Sequence, residues 1–224
     1  MKLFVWDFHG VLEKGNEAAV IEISNAVLEE FGYSERFTPE ENESLYGRKW
    51  YEYFEYLLPT EPHERHLQLQ AASFKMSDER WDIVTKHIKP TANAIGVLEA
   101  IASSHQQIVV SNTKPHALVE YIRTVGMTDY FNHTNAFAVD QHKRDAARTK
   151  QDVLREYLES NPQVQQLVII GDSKSDMALV EVAGGTRYLY AHPHRAFKDA
   201  ESDYQTHDLR DILREVHEPQ MAIQ

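Results

Sequence analysis

Residues Met1–Gly10 read MKLFVWDFHG, and this stretch decides the fold class. Its apolar run, Leu3–Trp6, is short, aromatic and branched in character, and it stops at Asp7. Such a run is typical of a strand that is buried on both faces, as in a parallel sheet. The sequence therefore predicts a central strand with a carboxylate directly at its carboxyl end.

Two later runs repeat this arrangement. Ile108–Val110 precedes Ser111 and Asn112, and Leu167–Ile170 precedes Gly171-Asp172. In an open α/β sheet, ligands bind beyond the carboxyl ends of the strands. We therefore expect the polar residues that follow the three runs to meet in one crevice.

Amphipathic patterns between these runs predict an alternation of helices and strands, which indicates the α/β class. The patterns predict helices over 91–103, 116–125, 150–158, 177–182 and 209–216, and a further strand over 188–190.

The segment 15–88 differs, because it shows helical patterns and no clear strand run. The patterns cover 18–31, 39–58, 64–74 and 78–88. Its clustered aromatic residues predict the core of a helical subdomain, and a second interpretation has them also line a substrate pocket. These residues are Tyr46, Trp50, Tyr51, Tyr53, Phe54 and Tyr56. Arg48 and Lys49 lie either on a solvated helix face or beside a second anionic group of a substrate.

Composition excludes several function classes. The chain has 224 residues, 35 acidic against 23 basic, a formal net charge of -12 and no cysteine. This length suits one domain of moderate size, or one domain with an insertion. The absence of cysteine excludes disulfides, thiolate zinc sites and cysteine nucleophiles. The negative charge argues against nucleic-acid binding, which needs a basic surface.

No apolar run approaches the roughly 20 residues of a membrane span. The run at the N-terminus is also too short for a signal peptide. We therefore expect a cytoplasmic protein with no membrane partner.

The residues at the predicted strand ends carry a specific chemistry. Asp7, Asp172 and Asp176 supply three carboxylates, and oxygen ligands of this kind suit Mg²⁺. A carboxylate at a strand end can also attack phosphorus. Ser111, Asn112 and a lysine near position 150 supply a hydroxyl, an amide and an ammonium group. The hydroxyl and the lysine are suited to neutralise a transferring phosphoryl group.

In these motifs the chain resembles the haloacid dehalogenase superfamily, and within it the phosphoglycolate phosphatase-like branch. Most members of this superfamily are magnesium-dependent phosphatases. The resemblance implies that Asp7 is the nucleophile, and that Ser111, Asn112 and Lys150 bind the substrate. It also implies that Asp172 and Asp176, in the pattern G-D-x-x-x-D, hold the metal. Lys143, Arg144 and Arg148 are alternatives to Lys150.

The resemblance extends to the fold. It implies a Rossmann-like, doubly wound parallel sheet in a catalytic core formed by residues 1–14 and 89–224. It further implies an α-helical cap domain, residues 15–88, inserted after the first motif.

One residue departs from the family pattern. His9 stands where phosphatases of the family carry the general acid/base aspartate, two residues after the nucleophile. The resemblance assigns the backbone carbonyl of this position to the metal, together with Asp7. Histidine transfers protons near neutral pH, so His9 either replaces the aspartate in kind or is a structural residue. The other eleven histidines show neither H-x-x-x-H nor H-E-x-x-H spacing, and we expect them at the surface.

Three functional hypotheses follow. The first is a Mg²⁺-dependent phosphohydrolase for a small phosphorylated metabolite, acting through an aspartyl phosphate, with His9 as acid and base. The second keeps the enzyme class but requires a substrate with a good leaving group, such as an acyl phosphate. Alternatively, the substrate supplies its own base, and phosphonatase activity is a further possibility. The third is a non-hydrolysing phosphate-ligand binding or regulatory protein on the same fold. The expected assembly is a monomer or a homodimer.

Overall fold

The computed structural model describes residues 1–45, 48–140 and 148–217. Three residues named above, Tyr46, Lys143 and Arg144, lie outside the described ranges, and so does His142, one of the eleven other histidines. Within the described ranges, no helix combines the length and the apolar character that a membrane crossing requires.

Eight strands form in the part of the chain that the structure describes, most of them short. They are β1 (Lys2–Trp6), β2 (Glu13–Lys14), β3 (Lys89–Pro90), β4 (Gln106–Ser111), β5 (Ala136–Ala138), β6 (Gln166–Gly171), β7 (Thr186–Tyr190) and β8 (Tyr204–Thr206). The three strands predicted from the apolar runs, together with 188–190, all form and extend by one or two residues at their ends.

Six of these strands build one sheet in the order β5-β4-β1-β6-β7-β8, and every pairing in it is parallel. β1 is central: Val5 pairs with Ile108 on one side and Ile169 on the other. The chain runs from β1 outwards to β4 and β5, and then returns to the other side of β1 with β6. The strand order therefore reverses at β1, which is the position where open α/β sheets bind their ligands.

Helices precede or follow these strands along the chain. They are α1 (Asn16–Glu30), α2 (Pro39–Leu45), α3 (Trp50–Leu57), α4 (His63–Glu79), α5 (Trp81–His87), α6 (Ala94–Ala102), α7 (Pro115–Thr124), α8 (Lys150–Ser160), α9 (Lys174–Met177), α10 (Val180–Ala183), the 3-10 helix η1 (Leu209–Leu213) and α11 (Arg214–His217). The parallel sheet with its crossover helices confirms the predicted α/β, doubly wound architecture.

The sheet core explains why these runs read as continuous apolar segments. Every residue of β1 is buried, and its neighbours in β4 and β6 are buried over nearly their whole length. Leu3, Val5, Ile108 and Ile169 share one apolar cluster with helix residues such as Leu154. A strand covered on both faces has no solvent side, so its sequence does not alternate.

Three expectations were wrong. The helix predicted over 39–58 is two helices, since α2 ends at Leu45 and α3 begins at Trp50. The helix predicted over 177–182 is the end of α9 followed by α10. The helix predicted from residue 91 begins at Ala94, because Asn93 takes a left-handed backbone conformation with φ 66° that interrupts the helix.

Among the histidines whose burial the structure describes, the expectation of a surface position was also wrong for one. His66 in α4 is only 4% exposed, and its ring nitrogen Nε2 donates to the backbone carbonyl oxygen of Leu58 at 2.9 Å. His105 is half-buried and packs against the Phe4 ring. Burial lowers the pKa of His105, and the nearby charge of Lys2 lowers it further.

The chain divides into two compact units. One comprises residues 1–13 and 90–224 and contains the six-stranded sheet. The other comprises residues 14–89 and consists of α1–α5. The predicted boundaries between the two units, after residue 14 and after residue 88, each differ from these by one residue.

The helical unit has a core of its own. Tyr53 and Phe54 of α3 are buried in it, together with Leu28 and Leu69, whereas Tyr56 is half exposed. Two of the clustered aromatic residues thus belong to this core, and a third, Trp50, packs against it. Arg48 and Lys49 are exposed, and Lys49 precedes the first turn of α3.

Candidate active site

The polar residues at the strand ends do meet. Asp7 follows β1 directly, and its backbone N–H donates to Ile170 O at 2.8 Å, which joins it to the end of β6. Carboxylate oxygens of Asp7, Asp172 and Asp176 all lie within 4.8 Å of one another. The crevice where the strand order reverses therefore carries three carboxylates.

Lys150 joins two of these carboxylates. Its Nζ donates to Asp7 Oδ1 at 2.8 Å and to Asp176 Oδ1 at 2.6 Å, and the lysine is 4% exposed. It is the first residue of α8, whose start is fixed by a capping box between Thr149 and Asp152. Of the alternatives to Lys150, Arg148 is exposed and pairs with Glu156. Among the described cations, Lys150 is the one that contacts Asp7.

Asp176 is held by the loop after β6. Its Oδ2 accepts from the backbone N–H groups of Asp172 and Ser173, at 3.2 and 3.1 Å, and from Ser173 Oγ at 2.6 Å. Together with Lys150 on Oδ1, these donors leave little acceptor capacity on this carboxylate. Asp176 therefore orders the site, while Asp7 and Asp172 keep more of their oxygen lone pairs for a ligand.

The electrostatic state of the site follows from its burial. Burial raises the pKa of Asp7 to about 7, the Asp176 charge adds to this effect, and Lys150 opposes it. Burial likewise raises the pKa of Asp172, against the opposing charge of Lys198. Burial alone would lower the pKa of Lys150, but the charges of Asp176 and Asp7 outweigh it and hold that pKa above its ordinary value. Negative charge is in excess here.

Ser111, the last residue of β4, is 1% exposed. Its Oγ has no hydrogen-bond partner among the described parts of the chain. A buried hydroxyl without a partner is costly, so it is the kind of group that a ligand completes. Asn112, the neighbouring candidate, is exposed.

His9 lies in the turn after β1, and its ring is fixed from two sides. Nδ1 lies 2.9 Å from Glu13 Oε1, and the ring packs edge-on against Tyr121, with centroids 4.8 Å apart. Glu13 is fully buried and also accepts from the Gly10 backbone N–H at 3.4 Å. The Glu13 carboxylate thus orients the imidazole. The His9 side chain is not part of the cluster that Asp7, Asp172 and Asp176 form.

Sequence reasoning missed two residues of this arrangement. Glu13 lies four residues after His9, and this separation is the sequence feature that could have indicated their contact. Lys198, whose Nζ donates to Asp172 Oδ2 at 2.7 Å, comes from a distant, irregular segment that carries no pattern.

Gly171 provides the space for Asp176. A Cβ at this position would lie 2.1 Å from Asp176 Cβ, closer than any side chain allows. We expect Gly171→Ala to displace Asp176 and to lower the free energy of unfolding by about 1–3 kcal/mol, the usual cost of overpacking.

The matched control is Gly96→Ala in α6, where an added Cβ has open space. It is expected to raise the free energy of unfolding by about 0.5–1 kcal/mol, because alanine favours helix. Urea unfolding of both variants measures these changes, and equal effects would contradict the close approach of Gly171 to Asp176.

Comparisons with known proteins agree with this geometry. A family model described as haloacid dehalogenase-like hydrolase matches residues 4–187. No curated protein matches the chain.

Solved structures of the same fold cover almost the entire chain. A predicted phosphoglycolate phosphatase from Haemophilus somnus 129PT is 14% identical, with a TM-score of 0.73 over 97% of this chain and 98% of that one. A haloacid dehalogenase-like family hydrolase from Streptococcus pneumoniae is 17% identical, with a TM-score of 0.69 over 96% and 98%. A HAD family hydrolase from Deinococcus radiodurans R1, crystallised with phosphate and sodium, is 16% identical, with a TM-score of 0.67 over 96% and 93%. At these identities the likeness concerns the fold.

Proposed function

Because the chain belongs to the haloacid dehalogenase-like hydrolases, we propose that it is a Mg²⁺-dependent phosphohydrolase for small phosphorylated metabolites. The observation that carries this proposal is the contact of buried Lys150 with Asp7, beside Asp172 and Asp176 at the carboxyl ends of β1 and β6. A nucleophile, a cation and metal-binding carboxylates in one crevice are the parts that phosphoryl transfer needs.

The donor set supports magnesium as the metal. Asp7, Asp172 and Asp176 offer oxygen ligands only, which suits a hard cation, and the backbone carbonyl of His9 is a further candidate. Two lysines contact the three carboxylates, and burial together with the Asp176 charge raises the pKa of Asp7. A bound Mg²⁺ would neutralise charge on the phosphoryl oxygens and hold the group in place.

Each step of the proposed reaction can be assigned to residues of the chain. A carboxylate oxygen of Asp7 attacks phosphorus, the bond from phosphorus to the leaving oxygen breaks, and an aspartyl phosphate forms. The Ser111 hydroxyl donates to a phosphoryl oxygen, which gives it the partner that the described residues lack. Water next attacks phosphorus, inorganic phosphate leaves, and the Asp7 carboxylate is restored. Lys150 holds Asp7 in position throughout.

His9 supplies the protons in this scheme. Its contact with Glu13 Oε1 places a proton on Nδ1 and leaves Nε2 for the reaction. Protonated His9 gives the Nε2 proton to the leaving oxygen, and the neutral ring then accepts a proton from the attacking water. A buried carboxylate that orients the imidazole favours this role over that of a structural histidine.

A screen tests the proposal as a whole. Purified protein is incubated with phosphorylated metabolites and p-nitrophenyl phosphate, with Mg²⁺ or with a chelator, and released phosphate is measured. We expect release that requires Mg²⁺. If a substrate binds in a Mg²⁺-dependent manner but prolonged incubation releases no phosphate, the proposal is overturned, and the non-hydrolysing binding protein takes its place.

A leaving-group series tests the role of His9. With His9→Gln we expect the rate on alkyl phosphates, which leave poorly, to fall by about 10²–10⁴-fold. The rate on acyl phosphates should change little, because their leaving groups need no proton. Rates measured across the series should become steeply dependent on leaving-group pKa in the variant only.

Glu13→Gln is the companion variant, since it keeps the size of the side chain but replaces the carboxylate that contacts His9 Nδ1 with a neutral amide. We expect a smaller loss with the same dependence on the leaving group. If wild type already shows a steep dependence, His9 is no acid, and the enzyme is an acyl phosphatase.

A further inference from the structure

A second cluster of metal-binding side chains lies in the helical unit, and it shares no residue with the site described above. We propose that Glu55, His63 and His66 form a binding site for a zinc ion. One ligand atom of each residue lies within 4.8 Å of the others. The three residues come from the end of α3 and the first turn of α4.

His66 gives the first reason. Its Nε2 lies 2.9 Å from the carbonyl oxygen of Leu58, so this nitrogen donates a proton and Nδ1 keeps its lone pair. His66 is 4% exposed, and its Nδ1 has no hydrogen-bond partner among the residues that the structure describes. A histidine that binds a metal through one nitrogen commonly donates the other N–H to a carbonyl, as here.

Glu55 and His63 give the second reason. His63 Nδ1 lies 2.7 Å from Glu55 Oε1, and His66 Nδ1 lies 4.0 Å from the same oxygen. The distance of 4.0 Å is too long for a hydrogen bond. An ion pair between His63 and Glu55 therefore leaves the buried nitrogen of His66 without a partner, whereas a cation between the three groups would bind all of them.

The donor set selects the metal. Two imidazole nitrogens and one carboxylate are a ligand set typical of zinc, with a water molecule in the fourth position. Magnesium prefers oxygen ligands and suits the carboxylates of the other unit. The two clusters thus differ in chemistry, which allows them to be loaded separately.

The site would stabilise a helix hairpin. Residues 58–62 connect α3 to α4, and the ligands flank this connection on both sides. A metal that binds only the folded hairpin raises the stability of the helical unit by mass action.

The sequence signal for this site is weak. His63 and His66 are three residues apart, a spacing outside the two motifs considered above, and Glu55 precedes them on another helix. The cluster becomes visible only when the connection folds back and brings Glu55 beside His63.

Zinc binding to the full-length protein tests the proposal. The protein is freed of metal, kept in excess Mg²⁺ to occupy the carboxylate cluster, and titrated with ZnCl₂ while bound zinc and melting temperature are recorded. His63→Gln is the test variant because its side chain is 56% exposed and should leave the fold intact. His133→Gln, an exposed histidine of the other unit, is the matched control.

We expect wild type and His133→Gln to bind one zinc ion per chain and to melt at a higher temperature with zinc. His63→Gln and Glu55→Gln should bind zinc at least about 10-fold more weakly, since loss of an outer-shell partner alone costs about 10–100-fold. Co²⁺ in place of zinc should give visible absorption bands in wild type that His63→Gln weakens. Equal zinc affinity in wild type, His63→Gln and Glu55→Gln would overturn the proposal, whatever the phosphatase assay shows.

Discussion

Asp7→Asn is expected to reduce Mg²⁺-dependent phosphate release by on the order of 10⁴-fold or more, which is the scale of losing a catalytic nucleophile. An amide has no negative charge with which to attack phosphorus, so no aspartyl phosphate forms. The substitution also removes one of the three carboxylates proposed to hold the metal. Both effects act in the same direction, which makes this the variant with the largest expected loss of activity.

The fold should survive this substitution. Asparagine has nearly the same size, its Oδ1 still accepts from Lys150, and Lys150 keeps its second bond to Asp176. Asp129→Asn, at an exposed position of the same unit, is the matched control and should keep full activity. Phosphate release and circular dichroism are measured for both variants. Undiminished release by folded Asp7→Asn would show that the phosphatase activity does not pass through Asp7.

The sequence predicts the central part of the sheet well because burial on both faces leaves a continuous apolar run, as in β1 and β6. The edge strands β5 and β8 have three residues each, and their residues are mostly exposed or partly buried. So short a segment with so little burial carries no pattern that distinguishes it from a loop. An edge strand forms because it pairs with a neighbouring strand, and that neighbour lies elsewhere in the sequence.

The same reason separates the site residues that were predicted from those that were not. Asp7, Ser111 and Asp172 end or follow buried strands, so topology alone brings them together. Lys198 reaches Asp172 from an irregular segment, and its position depends on the path of the chain after β7. Residues at strand ends are therefore predictable, whereas residues delivered by loops require the structure.

Lys150→Met is expected to have the largest effect on stability. Lys150 is buried between Asp7 and Asp176, and methionine fills similar space without a charge. Two buried carboxylates would lose their common partner, and removal of one member of a buried ion pair typically costs about 3–5 kcal/mol. Lys75→Met, at a lysine that is 75% exposed, is the control and should change stability by less than about 0.5 kcal/mol.

The unfolding of the sheet unit can be followed separately. Of the three tryptophans, Trp6 is fully buried in β1, whereas Trp50 and Trp81 belong to the helical unit. A Trp50→Phe/Trp81→Phe background therefore makes fluorescence report on β1 alone during urea unfolding. Added Mg²⁺ should restore part of the lost stability in Lys150→Met, because a cation that binds the same carboxylates replaces the missing positive charge. If Lys150→Met unfolds like the Lys75→Met control in that background, with and without Mg²⁺, then Lys150 does not compensate the charge of Asp7 and Asp176.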